Sequence, residues 1–296
     1  MSATAMTAPR ASTDAARRRR HRVWIMLGAA AAIAATLALA VNGAGYYILG
    51  AGDRVLSPHH AQLKPGGTIG TAMGISGTAM ILAIFLYPIR KRWKWLSKKG
   101  KTKHWLDYHI LMGLTAPVVI TFHSAFKFRG VAGLAYWSMM AVMASGIVGR
   151  YFYGRIPRKL GEAEMSFDEA ERLRAALAEQ IAEQRVLPRE ELDSLLALPS
   201  KDEVQRMPLL KALAVIVALD VRRGYRSWRL RRHASAELKQ ALAAASRQAA
   251  LSKDVLFLSK VKRLFHAWHV IHRPFSYSLA VLAVLHIFVV TFLGYW

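Results

Sequence analysis

Apolar residues run along this chain in long, nearly charge-free blocks separated by basic stretches. Five blocks, at residues 23–49, 69–89, 105–126, 131–153 and 265–295, reach the roughly 20 residues a helix needs to cross a bilayer. Their apolar positions do not alternate with polar ones, so neither a half-buried strand nor a one-sided surface helix accounts for them. The pattern predicts an all-α integral membrane bundle of about five transmembrane helices. The block at 23–49 is too long for the apolar core of a cleaved signal sequence and reads as a retained first span.

Between the fourth and fifth blocks the pattern changes. Residues 161–263 are polar, with helical charge and apolar periodicity in FDEAERLRAALAEQIAEQ. Ser166 with Glu169 and Ser200 with Glu203 have capping-box spacing, and Pro188 and Pro208 suit helix starts. The expected organisation is a basic tail over 1–22, four spans within 23–160, a helical insert over 161–263 and a fifth span within 264–296. The insert is either a solvated spacer or a surface for assembling a membrane complex. Within it LLKALAVIVALDV, residues 209–221, is apolar but short and carries Lys211 and Asp220, which suits a core or interfacial helix better than a span. If it did cross, the fifth span would reverse and His109 would face His286.

Charge adds direction. The formal net charge is +24. Basic residues cluster beside the apolar blocks, which fits topology signals and argues against a nucleic-acid partner. Arg17 to Arg20 with Arg22, the link RKRWKWLSKKGKTK from Arg90 to Lys103, and Arg150, Arg155, Arg158 and Lys159 mark one side. The other side has only Arg54 and Lys64 in one link and Lys127 and Arg129 in the other. The expected placement is the inner, cytoplasmic membrane, multi-pass, N-terminus cytoplasmic and C-terminus outside, with spans three and five both running outward.

The chain has no cysteine. Disulfides, thiolate-held clusters and covalently attached haem are thereby excluded, and a metal centre would need histidine or other non-thiol ligands. Histidine supplies a pattern. His109 and His123 are fourteen positions apart within span three, and His272 and His286 are fourteen apart within span five. On a helix that offset is ~21 Å of rise and ends ~40° short of four turns, so each pair shares a face at two depths. Imidazole inside a span is costly without a function and is a common ligand of haem iron. Parallel spans would set His109 beside His272 at the inner depth and His123 beside His286 at the outer, so that all four become metal ligands of two haem b groups. Lys103 and Arg273 at the inner face, and Arg129 or Lys127 at the outer, are placed to pair with propionates or to anchor the helices in headgroups.

Other histidines fit less well. His104 and His269 lie near the inner boundary with unmatched offsets, though His269 competes with His272 for the inner position. His59 and His60 fall in an outer link; His21 and His233 sit in basic, exposed contexts. Pro274 bends or starts the fifth span. Ser145, Gly146 and Gly149 in ASGIVGR read as a close-packing face, as does GGTIGTAMG from Gly66 to Gly74, which lacks a phosphate-loop lysine.

On His109, His123, His272 and His286, and on the cytoplasmic link between spans four and five, the chain resembles the transmembrane domain of ferric-reductase-like and NADPH-oxidase-like di-haem b-type cytochromes. The likeness covers residues 105–153 and 265–295. It implies two stacked b haems carrying electrons from a cytoplasmic donor to an outer acceptor. That family usually adds a sixth span and a flavin and nicotinamide domain, whereas this sequence ends at Trp296. The expectation is therefore an electron-conducting subunit of an oxidoreductase, served by separate donor and acceptor proteins or a quinol. Two alternatives stay open. One is a quinone-reactive cytochrome b anchor of a partner dehydrogenase, with Asp107, Tyr108 and His104 as the polar groups. The other is a non-redox scaffold or transporter, for which the broken or repeated spans of transporters are not evident.

Overall fold

The structure is a computed structural model that describes residues 8–294, apart from residue 51, residues 155–196 other than 172 and 176, and residues 233–234. Its elements are helical, with no strand among the described residues. The long helices are α1 (Ala8–Tyr47), α2 (Thr68–Arg92), α3 (Thr102–His123), α4 (Gly130–Tyr153), then the short α5 (Lys201–Arg206), α6 (Leu209–Arg231), α7 (Ala236–Leu256) and α8 (Leu258–Phe292). Five of them, α1, α2, α3, α4 and α8, include segments long and apolar enough to cross a membrane, which makes this a multi-pass membrane protein. The helices overrun the apolar blocks. α1 begins at Ala8, inside the basic tail, and α2 continues through Pro88 to Arg92. Ser166, Glu169, Pro188 and His233 lie outside the described residues.

The chain divides into two compact units, residues 1–146 with 272–296, and residues 147–271. The insert unit thus takes in the end of α4 and the start of α8, beyond the boundaries that polarity alone suggests.

In the first unit, α2 packs along α3, and α1 along α3. Two arginines hold the links. Arg90 donates to the carbonyls of Ser97 and Gly100, both at 2.8 Å, and to Thr102 Oγ1 at 2.9 Å, fixing the turn between α2 and α3. Arg54 is buried and donates to the carbonyls of Tyr47 (2.7 Å), Leu49 (2.9 Å) and Ala125. It is therefore an internal staple between the first link and the α3–α4 turn. That turn is sharp: Ala125 and Phe126 both have positive φ, 47° and 61°. It sends α4 back along α3, where Thr121 Oγ1 meets the Tyr136 hydroxyl at 3.0 Å. α8 returns along α4, with Leu279 in the cluster of Tyr136 and Met139, and His272 against Ser145. Two antiparallel steps leave α3 and α8 running in the same direction.

The second unit has its own apolar core, built from Phe152, Met207, Ala212, Ile216, Phe257, Val261 and Leu264 among others. Ser200 caps α5 by accepting from the Glu203 amide at 3.2 Å, and α6 starts directly after Pro208. α6 is thus packed by its Ala212 and Ile216 side into this core. Asp220 accepts from Tyr151 at 2.9 Å and pairs with the buried Lys253. Lys260 donates to the carbonyls of Gln205 (3.0 Å) and Met207 (2.6 Å). Burial holds the Arg223 guanidinium below its ordinary pKa, with Asp220 and Asp254 opposing that shift.

Candidate functional site: the four span histidines

All four histidines with the repeated spacing belong to the first unit. His109 and His123 lie on one face of α3 with Gly113, Ala116 and Ile120 between them at helical intervals. His272 and His286 lie on one face of α8 with Ser276, Leu279 and Ala283 between them.

Three of the four rings are fixed through Nδ1. His109 Nδ1 donates to the carbonyl of Ile84 on α2 at 3.1 Å. His123 Nδ1 donates to the carbonyl of Gly70, also on α2, at 2.8 Å. A carbonyl only accepts, so the ring proton is on Nδ1 and the Nε2 lone pair is left over. His272 is held through Nδ1 by a side chain instead. Ser145 Oγ–H donates to the Val142 carbonyl at 2.8 Å, so its oxygen accepts from His272 Nδ1–H at 2.7 Å. Metal-binding histidines are characteristically oriented by such a bond on the second nitrogen. His286 lies within electrostatic reach of His123.

Local sequence explains these bonds. The Ile84 carbonyl lies four residues before Pro88, which brings no N–H to bond it within the helix, so it is open to an outside donor. Gly74 lets the His123 ring lie against α2, since a Cβ there would stand 2.7 Å from the imidazole Cε1. Gly77 does the same for Ile120, at 2.4 Å. The glycine run of α2 is thus a seat for the outer part of α3. Gly146 leaves 3.8 Å to the His272 ring, and Gly149, in the other unit, lies under the Trp268 indole.

The histidine face of α3 is buried at Ala116, packed on α2 at Ile120 and His123, and looser at Gly113. α3 packs backbone to backbone with α2 and α1, and no comparable contact joins it to α8. At Gly113, midway between His109 and His123, an added Cβ would meet nothing within 4 Å. Among the described residues no three histidine, aspartate or glutamate side chains converge as a metal site. The donor sets to weigh are therefore pairs of imidazoles, with His109 and His272 early, and His123 and His286 late, on the parallel helices α3 and α8.

The remaining expected residues divide. Lys103, Arg129 and Arg273 are exposed, and no hydrogen bond or ion pair ties them to another described residue. His269 belongs to the other unit, where Nδ1 bonds the Phe265 carbonyl of its own helix at 3.2 Å and the ring meets Phe265 and Trp268 edge-on. His60 meets the Tyr46 hydroxyl at 3.3 Å, and His59 and His266 are exposed. His21 departs from its expected exposed context. Its ring stacks on His104 at 3.7 Å, meets Tyr108 edge-on, and its Nε2 is 3.1 Å from Asp107 Oδ2.

Sequence reasoning missed Ser145 as a partner of His272. A serine five positions before Arg150 at the basic end of a span carries no signal until the neighbouring helix is known to bring a histidine to it. Comparisons with protein-family models, with curated proteins and with solved structures give no match to this chain.

Proposed function

We propose that this protein carries electrons across a membrane through two bis-histidine b-type haems held between α3 and α8. His109 and His272 hold one, His123 and His286 the other. The observation that carries the reading is that His109 and His123 each commit Nδ1–H to a backbone carbonyl of α2, and that His272 on the parallel helix α8 is held through Nδ1 by Ser145. The ferric-reductase-like resemblance supports it from the sequence side.

When bound, each haem supplies a one-electron iron couple. The chain's own residues have separate tasks. The Ile84 and Gly70 carbonyls and the Ser145 hydroxyl orient the rings and raise the basicity of Nε2. The apolar helix faces keep water from the centres, and Lys103, Arg273 and Arg129 are the cations available to propionates at the two ends. The Lys/Arg asymmetry supports a cytoplasmic N-terminus and insert at the inner membrane, with donor and acceptor on opposite faces.

The test is a reduced-minus-oxidised absorption spectrum of the purified protein with a haem-to-chain ratio. The reading requires b-type bands and two haems per chain. Loss of the same haem in His109→Ala and His272→Ala, with the other retained, would establish the pairing. No b-type band, or a match of His109→Ala with His286→Ala, would overturn it.

A second reading, a quinone-reactive anchor, draws on the gathering of His21, His104, Asp107 and Tyr108 at one end of α3. Stacked imidazoles beside a carboxylate are groups able to take the two protons of a quinol. Quinol-dependent haem reduction that is lost in Asp107→Asn, while direct chemical reduction is kept, would select it.

A further inference from the structure

α6 is apolar on two sides. One side, with Ala212 and Ile216 fully buried, packs into the core of the insert unit. The opposite side carries Leu210, Val217, Val221, Tyr225 and Trp228, which follow one another at steps of seven, four, four and three residues and so form one stripe. The stripe is open: Leu210 is 80 % exposed, Val221 65 % and Tyr225 60 %. A row of cations runs beside it. Lys211, Arg222, Arg226 and Arg229 fall at about 100–160° from Leu210 at 100° per residue, while the stripe covers about −20 to 60°.

We infer that this face of α6 is a docking surface for the anionic headgroups of the bilayer that the protein spans, with the stripe in the headgroup–acyl boundary. An apolar stripe bearing Trp and Tyr beside a cationic row is the pattern of a helix lying in a membrane interface. The insert is joined through the chain to a membrane-crossing helix at each end, α4 and α8, so the bilayer surface is its constant neighbour. Charge disfavours the competing occupant, a second copy of this chain: a protein with net charge +24 would bring a cationic row near another. The inference is independent of the haem reading.

The absence of cysteine makes the test direct, since one engineered thiol is the only one in the chain. Full-length protein carrying Leu210→Cys, Val217→Cys or Val221→Cys is spin-labelled and reconstituted into phosphatidylcholine, with or without phosphatidylglycerol. Accessibility to oxygen and to a water-soluble nickel chelate is read at each site. With phosphatidylglycerol, the three stripe labels should favour oxygen, and an Arg226→Cys label should favour the chelate. Replacing Arg222 and Arg229 by Gln should lower the docked population by about fivefold per arginine, and salt should act in the same direction. Chelate access at the stripe in both bilayers would overturn the inference. So would protection from both reagents, which puts another protein segment on the face, or spin–spin broadening that disappears on dilution with unlabelled protein, which puts a second copy there.

Discussion

Ser145 Oγ accepts a hydrogen bond from His272 Nδ1–H at 2.7 Å and donates one to the Val142 carbonyl one turn back on the same helix. A side chain on α4 therefore sets the tautomer of a ring on α8. Removing it takes away the acceptor that orients His272 through Nδ1. Ser145→Ala should weaken retention of the haem proposed at His109 and His272 by about 10- to 100-fold, the usual cost of losing such a partner. Ser145→Thr, which keeps the hydroxyl, should stay close to wild type. Haem retention during dilution, followed with the midpoint potential of each centre, distinguishes the two. Equal behaviour of the Ala and Thr variants would remove Ser145 from the site.

The seat of His123 is sterically exacting. Gly74→Ala adds a carbon about where the imidazole lies, 2.7 Å from Cε1. The ring must shift, and the 2.8 Å bond to Gly70 lengthens or breaks. The expected result is selective loss of the centre at His123 and His286 with helix content unchanged. Gly45→Ala, where an added Cβ meets nothing within 4 Å, is the control and should be silent by circular dichroism and haem spectrum.

Arg54 bonds three carbonyls from two segments, and lysine cannot fork in that way. Arg54→Lys should leave at least one carbonyl without its charged donor and destabilise the first unit by about 2–3 kcal/mol. A lowered thermal midpoint in detergent, with unchanged expression of the full chain, is the readout. An unshifted midpoint would mean that water replaces the guanidinium without loss.

The insert offers a matched test. Lys253 is 3 % exposed and pairs with Asp220. Asp220→Asn takes the nearer carboxylate from that ammonium and leaves only Asp254 at 3.5 Å, which should cost about 2 kcal/mol, whereas Asp220→Leu with Lys253→Met should recover most of it. Chemical unfolding followed at the tryptophans reads both. The haem spectrum should not change in either, since both residues belong to the second unit.

The sequence made the spans legible because a bilayer imposes a length on apolar blocks, and the basic links mark their ends. It also exposed the four histidines, since an imidazole in a span stands out against leucine and valine. Their hydrogen-bond partners were hidden for a physical reason. Two of the three acceptors are backbone carbonyls, which every residue possesses, so the choice of Ile84 and Gly70 is set by the register of α2 on α3. Pro88 was a clue that was open to use: a proline inside a helix leaves a carbonyl four residues back without its usual donor. Arg54 was misleading in the opposite sense. By sequence it was a sparse basic residue on the charge-poor side, and only the fold turns it inward. In the insert, the Ser200 cap and the start of α6 after Pro208 were readable from local chemistry. The extent of the unit was not, because Phe152 and Leu264 look like span residues until they are seen in the same core as Ile216.

The two kinds of acceptor around the histidines differ in what mutation can reach. Backbone carbonyls answer His109 and His123, and no substitution at Ile84 or Gly70 deletes a carbonyl. His272 is answered by a hydroxyl that a single codon change removes, weakens or replaces with a carboxamide or carboxylate. If the chain carries two centres, their adjustability is unequal: the one at His109 and His272 has one ring held by the main chain and one that can be retuned in small heritable steps at position 145. Descendants of this protein would be expected to diverge in electrochemistry at that centre first.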